Sequence, residues 1–165
     1  MTDNQTKQRD LLKAYLDQYG RMGRRVEALE WRLKAARDAL SCASIRSGLS
    51  NGMTPCGGGV SAGAAAPILK EESLSERLMR MRDERARIMT EVMDIISLLP
   101  DSDEREVLEY RHMDGMRWRE IGERMRMSRS PCFQCYKRGL DQLLTFQRVR
   151  DVLADFEARR NRGEQ

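Results

Sequence analysis

The stretch that decides the fold is 104–144, EREVLEYRHMDGMRWREIGERMRMSRSPCFQCYKRGLDQLL. Turn and capping signals divide it into three short segments, because Asp114-Gly115 is a favourable turn dipeptide and Ser128 is a good helix N-cap. The predicted helices run from Asp101 or Ser102 to about His112, from Arg117 to Met125, and from Arg129 to about Phe146. A turn of three to four residues between the last two helices predicts a helix-turn-helix arrangement.

Charge is divided unevenly along this stretch. Residues 101–115 hold two Arg against six Asp and Glu, whereas residues 116–140 hold seven Lys and Arg against two Glu. The second helix of a helix-turn-helix enters the major groove of DNA, and the basic residues concentrate on the segment that would face it. The alternative is a solvated basic face on an ordinary three-helix bundle. Composition favours neither interpretation.

The same stretch resembles the helix-turn-helix of sigma factor region 4, in the form found in small phage and prophage transcription regulators of the ArpU/RinA kind. The pattern typical of that group is LxxRYxDGxxWxEIAxxxGxSxxxVxRxxxxAL. The matching residues are Leu108, Tyr110, Arg111, Asp114, Gly115, Trp118, Glu120, Ile121, Ser128, Cys132 and Leu140. The resemblance implies a sequence-specific DNA-binding transcription regulator, phage-encoded, with double-stranded DNA as partner and RNA polymerase as a possible second partner.

The sequence departs from that pattern at four residues. Arg117 replaces the usual Ser or Thr cap, and Arg126 replaces a glycine that ends the helix in a left-handed conformation. Gly139 replaces a helix-favouring alanine. Pro131 falls in the first turn of the third helix, where proline is tolerated. Together they predict a domain that folds but is not especially stable.

The third helix supplies the candidate DNA contacts. Spacing and family pattern place Cys132, Cys135 and Leu140 inward. The outward candidates for base contact are Arg129, Phe133 and Gln134, since Arg suits guanine, Gln suits adenine, and Phe suits the thymine methyl. Phe133 has an alternative role in packing against a neighbouring helix. The candidates for phosphate contact are Arg119, Arg124, Ser130, Lys137 and Arg138.

Outside this stretch the sequence predicts two long helices and a linker. Residues 1–40 and 68–99 each carry one apolar stripe with the alternating spacing of a coiled coil. The stripes are Leu12, Tyr15, Tyr19, Met22, Val26, Leu29, Leu33, Ala36 and Leu40, and Leu74, Leu78, Met81, Arg85, Ile88, Val92, Ile95 and Leu99. Residues 41–67 are rich in Gly, Ser and Ala and predict a flexible linker.

The fold class expected is therefore all-α: a long two-helix coiled-coil hairpin, a helix-turn-helix domain over 101–146, and a C-terminal helix and tail over 147–165. A homodimer that pairs the same stripes is the competing arrangement. Gly20 and Gly23 predict a bend or a frayed turn. Arg85, the polar residue on its stripe, either fixes register or extends its head to water.

Composition excludes several function classes. Charged residues are 34% of the chain and the mean hydropathy is -0.68, so we expect no membrane segment and a cytoplasmic location in a bacterial host. Four Cys and one His predict no metal site and no cofactor, and the C-x-x-C of Cys132 and Cys135 is interpreted as two small buried side chains. His112 is expected to be a cap or a surface residue, and Trp118 the anchor of the three-helix core.

Two other functions fit the same sequence. A small terminase-like DNA-packaging protein also joins a helix-turn-helix to oligomerising helices, and it would form a ring where a regulator would be a monomer or a dimer. A helical interaction protein that never touches DNA is the third interpretation. We expect no enzyme, because these residues assemble no nucleophile, base and orienting group.

Overall fold

The computed structural model describes residues 3–49 and 62–163, with side chains described for 4–42 and 68–163. Within these ranges the chain is all-α. The helices there are α1 (Asp3–Leu16), α2 (Gln18–Leu49), α3 (Ala62–Ile96), α4 (Asp103–His112), α5 (Trp118–Met125), α6 (Arg129–Leu143) and α7 (Gln147–Asn161). None of them is both long and apolar enough to cross a bilayer.

The helices on either side of the predicted linker are longer than the sequence boundaries indicated. α2 continues to Leu49 and α3 begins at Ala62, so both ends of the segment 41–67 are helical rather than flexible. At the start of α3 the reason is alanine, which has the highest helix propensity, since 62–66 reads AGAAA. Residues 50–61, the middle of the predicted linker, lie outside the described residues.

The chain divides into two compact units, one of Met1–Arg21 with Arg85–Gln165 and one of Met22–Glu84. In the Met22–Glu84 unit, the predicted stripes of α2 and α3 pack together. The buried cluster is Val26, Leu29, Leu33 and Leu78, with Leu74 and Met81 against it.

Ion pairs flank that cluster on both sides. Arg37 pairs with Glu71 at 2.7 Å, and Arg82 pairs with Glu30 at 2.6 Å. As the residue number rises on α2 it falls on α3, so the two helices run antiparallel in this unit. The apolar stripes are therefore buried within one chain.

The other unit buries the beginning of the first apolar stripe, on α1, and the end of the second apolar stripe, on α3. The fully buried side chains there include Leu12, Leu16, Val92, Ile96 and Leu99, each at most 2% exposed. Tyr15 packs edge-on against Phe156 of α7, with ring centroids 5.5 Å apart. Burial is the main reason that the pKa of the Tyr15 hydroxyl is raised to about 12, and the nearby Glu91 carboxylate adds to it.

Arg85 has a specific partner in this unit. Its Nη2 donates a hydrogen bond of 3.1 Å to the Tyr19 hydroxyl, and its guanidinium carbon lies 4.8 Å from the centre of the Tyr19 ring. Both residues belong to the predicted stripes. Arg85 thus binds an aromatic side chain across the seam instead of extending to water.

The break between the first two helices falls at Asp17, not at Gly20 or Gly23. The helix continues through both glycines, each of which costs only about 1 kcal/mol relative to alanine. At Asp17 the side chain is held by His112 of α4, with 3.0 Å between Oδ1 and Nδ1. A tertiary contact therefore marks the position of the break.

Helices α4, α5 and α6 pack on one another in the same unit. Leu108, Ile121 and Leu140 are completely buried. Gly139 of α6 faces α4 so closely that a Cβ would lie 3.0 Å from a Leu108 methyl and 3.2 Å from the Glu104 carbonyl oxygen. The glycine that sequence reasoning interpreted as a weakness is therefore needed for the close approach of the two helices.

Candidate nucleic-acid interface

The turn between α5 and α6 is tightly defined. Arg126 ends α5 in the left-handed conformation, with φ of 54°, as the sequence pattern indicated for a position that commonly holds glycine. The Met127 N–H then donates to the Gly122 carbonyl at 2.9 Å. A Cβ on Gly122 would lie 2.8 Å from the Met127 carbonyl oxygen, so only glycine fits without a backbone shift.

The start of α5 keeps one capping contact, although Arg117 replaces the usual Ser or Thr. Arg117 lacks the hydroxyl of Ser or Thr, but its own N–H donates to the Glu120 Oε2 at 2.7 Å. This is the half of a capping box that the Glu side chain supplies. Glu120 therefore offsets part of the expected loss at Arg117.

The two faces of α6 divide as the spacing predicted. Cys132, Cys135 and Leu140 are buried, and so are Tyr136, Gly139 and Leu143. Arg129, Ser130, Phe133, Gln134 and Lys137 are all exposed. Because residues four apart lie on one face of a helix, the exposed side chains form two adjacent rows, 129-133-137 and 130-134.

An aromatic cluster supports the exposed face. Trp118 of α5 lies edge-on to Tyr136 and to Phe133, with ring centroids 5.1 Å and 5.5 Å apart. Trp118 is half-buried, so it packs at the edge of the three helices, while Tyr136 lies inside. Phe133 is 40% exposed and carries the Lys137 ammonium 4.7 Å above its ring. Phe133 thus has the packing contact that sequence reasoning gave as its alternative role.

Three of the arginines predicted to contact phosphate have partners within the chain. Arg138 pairs with Glu104 of α4 at 2.8 Å, and its Nη2 donates to the Cys135 Sγ at 3.1 Å. Arg119 pairs with Glu123 at 2.9 Å on the exposed side of α5. The Arg124 guanidinium lies 4.9 Å above the Tyr110 ring.

Other cations at this surface have no such partner. The side chains of Arg126 and Arg129 make no hydrogen bond or ion pair within the described residues. Both are exposed, at the turn and at the first residue of α6. Arg129 also borders a shallow groove between α5 and α6, lined by Trp118, Arg119, Gly122, Glu123, Met127 and Arg129. The partial positive charge of the α6 N-terminus adds to theirs.

The two cysteines of α6 belong to the core. Cys132 is completely buried and Cys135 is 4% exposed. Burial raises the pKa of the Cys132 thiol, so it stays neutral and apolar. No three metal-ligating side chains come together in the described part of the chain.

His112 is not the cap or surface residue that its position suggested. It is 4% exposed and lies between two partners, Asp17 and the Tyr136 hydroxyl, the latter 3.1 Å from Nε2. Its ring is also stacked on that of Tyr136 at 5.7 Å. A histidine at the end of a helix is commonly exposed, but the α1–α2 junction covers this one.

No family model, curated protein or solved structure matches the chain. The interface therefore stands on the contacts and charges described above.

Sequence reasoning missed Arg126, His112 and Tyr136. Tyr136 carries a recognisable signal, because it follows Cys132 by four residues and precedes Leu140 by four, on the buried face. Arg126 was noted for its backbone conformation and not for its free charge. His112 gave no local signal, since its partners Asp17 and Tyr136 are 95 and 24 residues away.

Proposed function

We propose that this chain is a sequence-specific DNA-binding transcription regulator of phage type, in which α5 and α6 form a helix-turn-helix similar to that of sigma factor region 4. In this proposal α6 enters the major groove. The long N-terminal helices form a coiled-coil hairpin that serves self-association or contact with a partner such as RNA polymerase.

One observation carries the proposal: the start of α6 presents cations and polar side chains that nothing in the described chain satisfies. Arg126, Arg129, Ser130 and Gln134 are exposed, with no side-chain hydrogen bond there. Charged and amide side chains at the first turns of a groove-bound helix are the groups that read bases and hold phosphates. The neighbouring Arg119 of α5, by contrast, already pairs with Glu123.

The roles divide by position on α6 and on the turn before it. Arg129 and Gln134 lie on its exposed face and are assigned to base edges. Ser130, Lys137 and Arg126 are assigned to phosphates, which orient the domain without reading sequence. Arg138 and Arg119 contribute less, because binding phosphate requires each to leave its carboxylate.

The test begins with the full chain and a pool of random-sequence duplex DNA, from which bound duplexes are selected and sequenced. Affinity for the selected duplex and for a scrambled one is then measured by fluorescence anisotropy. Arg129→Ala should reduce the free energy of binding to the selected duplex by about 1–3 kcal/mol, and it should relax the base preference at one position of the site. Arg126→Ala should weaken binding to both duplexes equally. It should also lower by about one the slope of log affinity against log salt concentration, here called the salt slope.

Arg80→Ala is the matched control, since it removes one exposed cation of α3 that belongs to the Met22–Glu84 unit. If no sequence is enriched, the proposal of specific binding fails. If Arg129→Ala and Gln134→Ala bind the selected duplex as Arg80→Ala does, α6 is not the reading helix.

A further inference from the structure

The outer face of α2 carries a large apolar side chain that the described chain leaves in water. Trp31 is 78% exposed. It is two residues from both Leu29 and Leu33, which pack in the cluster with Leu78. At 100° per residue this spacing places Trp31 on the opposite side of α2. A packed tryptophan buries about 150–250 Å², an apolar contact that the described residues do not supply to this face.

Trp31 lies in the middle of a second stripe with the spacing of a helix-packing seam. This outer stripe consists of Arg24, Ala28, Trp31, Ala35, Asp38 and Cys42, all of them exposed. Ala28 and Ala35 are about one turn before and after the tryptophan. Their small side chains leave room for a tryptophan from a facing helix.

The charges of the outer stripe complement those of its own reversed copy. Arg24 and Asp38 are each seven residues from Trp31, and neither side chain has an ion pair within the described residues. They are about 21 Å apart along the helix, too far to pair with each other. A two-fold axis near Trp31 brings Arg24 of one copy beside Asp38 of the other, twice. On one flank it also brings Glu27 beside Lys34, and on the other flank it brings Arg32 beside Arg32 of the second copy, a like-charge contact that the long side chains relieve by extending into water.

A parallel pair would do the opposite. Arg24 would then face Arg24 and Asp38 would face Asp38, and both contacts repel. The inner stripe is not free for either arrangement, because Val26, Leu29 and Leu33 are already buried within the chain.

We propose that the outer stripe of α2 is a self-association surface, on which a second copy of this chain packs antiparallel about Trp31. The contact is short, so the dimer belongs to the small, weak class of interfaces. The inference does not depend on DNA binding.

Sedimentation velocity on the reduced full chain, across a concentration series and without DNA, tests the surface. The wild type should shift from monomer to dimer. Trp31→Glu should raise the dimer dissociation constant by at least about thirtyfold, as expected for a central tryptophan. Met79→Glu is the control, because Met79 is 67% exposed on α3 and lies off the stripe. Circular dichroism checks that each variant is as helical as the wild type.

A charge exchange tests the antiparallel orientation. Arg24→Asp and Asp38→Arg should each weaken the dimer several-fold, and the double variant should recover the wild-type dissociation constant. Recovery cannot arise inside one chain, given the separation of the two residues. A monomeric wild type, a Trp31→Glu dimer of unchanged affinity, or a double variant as weak as the single ones would each overturn the proposal.

Discussion

The imidazole Nδ1 of His112 lies 3.0 Å from the Asp17 Oδ1, across 95 residues of sequence. Asp17 stands at the break between α1 and α2, and His112 ends α4 with its other nitrogen beside the Tyr136 hydroxyl of α6. One buried side chain thus connects the α1–α2 junction to α4 and to α6, the helix whose exposed face belongs to the candidate interface. The stability of that interface should depend on this contact.

The pKa of Asp17 gives the contact a pH dependence. The hydrogen bond from His112 is the largest cause that holds the pKa of the Asp17 carboxyl below its ordinary value, and nearby Arg111 and Arg21 act in the same direction. A carboxyl with a depressed pKa in the folded state adds stability that is complete above its unfolded pKa of about 3.9. That contribution is lost as the pH falls further, through the folded-state pKa.

Asp17→Asn should therefore make the stability of the fold less dependent on pH in the acid range. The midpoint of thermal unfolding, followed by circular dichroism, should be higher for wild type than for Asp17→Asn at about pH 6, and the difference should shrink by about pH 3. Asp83→Asn, which changes an exposed carboxylate of α3, is the control and should track the wild type. A constant gap between Asp17→Asn and wild type at all pH values would contradict the assignment.

Gly122→Ala tests the turn between α5 and α6. The added methyl would lie 2.8 Å from the Met127 carbonyl oxygen, an atom of the backbone that cannot move without opening the turn. We expect a net loss of about 1–2 kcal/mol in unfolding free energy, since overpacking outweighs the gain in helix propensity. Gly139→Ala should lose stability too, but less, because the added methyl would lie farther from its neighbours, 3.0 Å from a Leu108 methyl and 3.2 Å from the Glu104 carbonyl oxygen. Equal losses for the two variants in urea unfolding would show that the turn adapts.

Val92→Asp tests the burial of the apolar stripe on α3. Val92 has no exposed surface, so the aspartate would be a buried charge without a partner. The expected cost is about 4 kcal/mol or more, a large part of the stability of an ordinary domain. Met93→Asp is the neighbouring control, since Met93 is 52% exposed. If far-UV circular dichroism shows the same helicity and unfolding midpoint for both, the stripe is not the core of this unit.

Local signals in the sequence were enough for the starts of α5 and α6 and for the faces of α6. The Asp114-Gly115 turn and Ser128 placed α5 and α6 within a residue of their observed starts, because turns and caps are set by neighbouring residues. The heptad spacing gave both buried stripes for the same reason. A periodic pattern shows which side of a helix is apolar, and packing does the rest.

Contacts between residues far apart in the sequence could not be predicted from local patterns. The place of Arg138 on α6 predicts a phosphate contact, yet its guanidinium donates a hydrogen bond to Glu104, 34 positions away in the sequence. Gly139 was interpreted as a weak helix residue because nothing nearby in sequence shows that α4 approaches its Cα. Partners of this kind depend on how helices meet, which a spacing pattern does not contain.

The ion pair between Arg138 and Glu104 leads to a prediction on DNA binding, under the function proposed above. The hydrogen bond from Arg138 is the main cause that lowers the pKa of the Glu104 carboxyl, so the pair stays ionised at neutral pH. Glu104→Gln removes the anion and leaves the Arg138 guanidinium available for a phosphate. DNA affinity should then rise several-fold at low salt for all sequences alike, and the salt slope should steepen by up to about one.

Glu106→Gln separates this effect from a change of net charge. Glu106 lies on the same helix, is exposed, and pairs with no cation in the described part of the chain. It loses the same charge but frees no arginine, so its salt slope in anisotropy titrations should equal that of the wild type. If the two variants steepen the slope equally, the gain comes from overall charge and Arg138 does not reach the DNA. If Glu104→Gln alone steepens it, the ion pair between Arg138 and Glu104 limits the binding of α6 to phosphate.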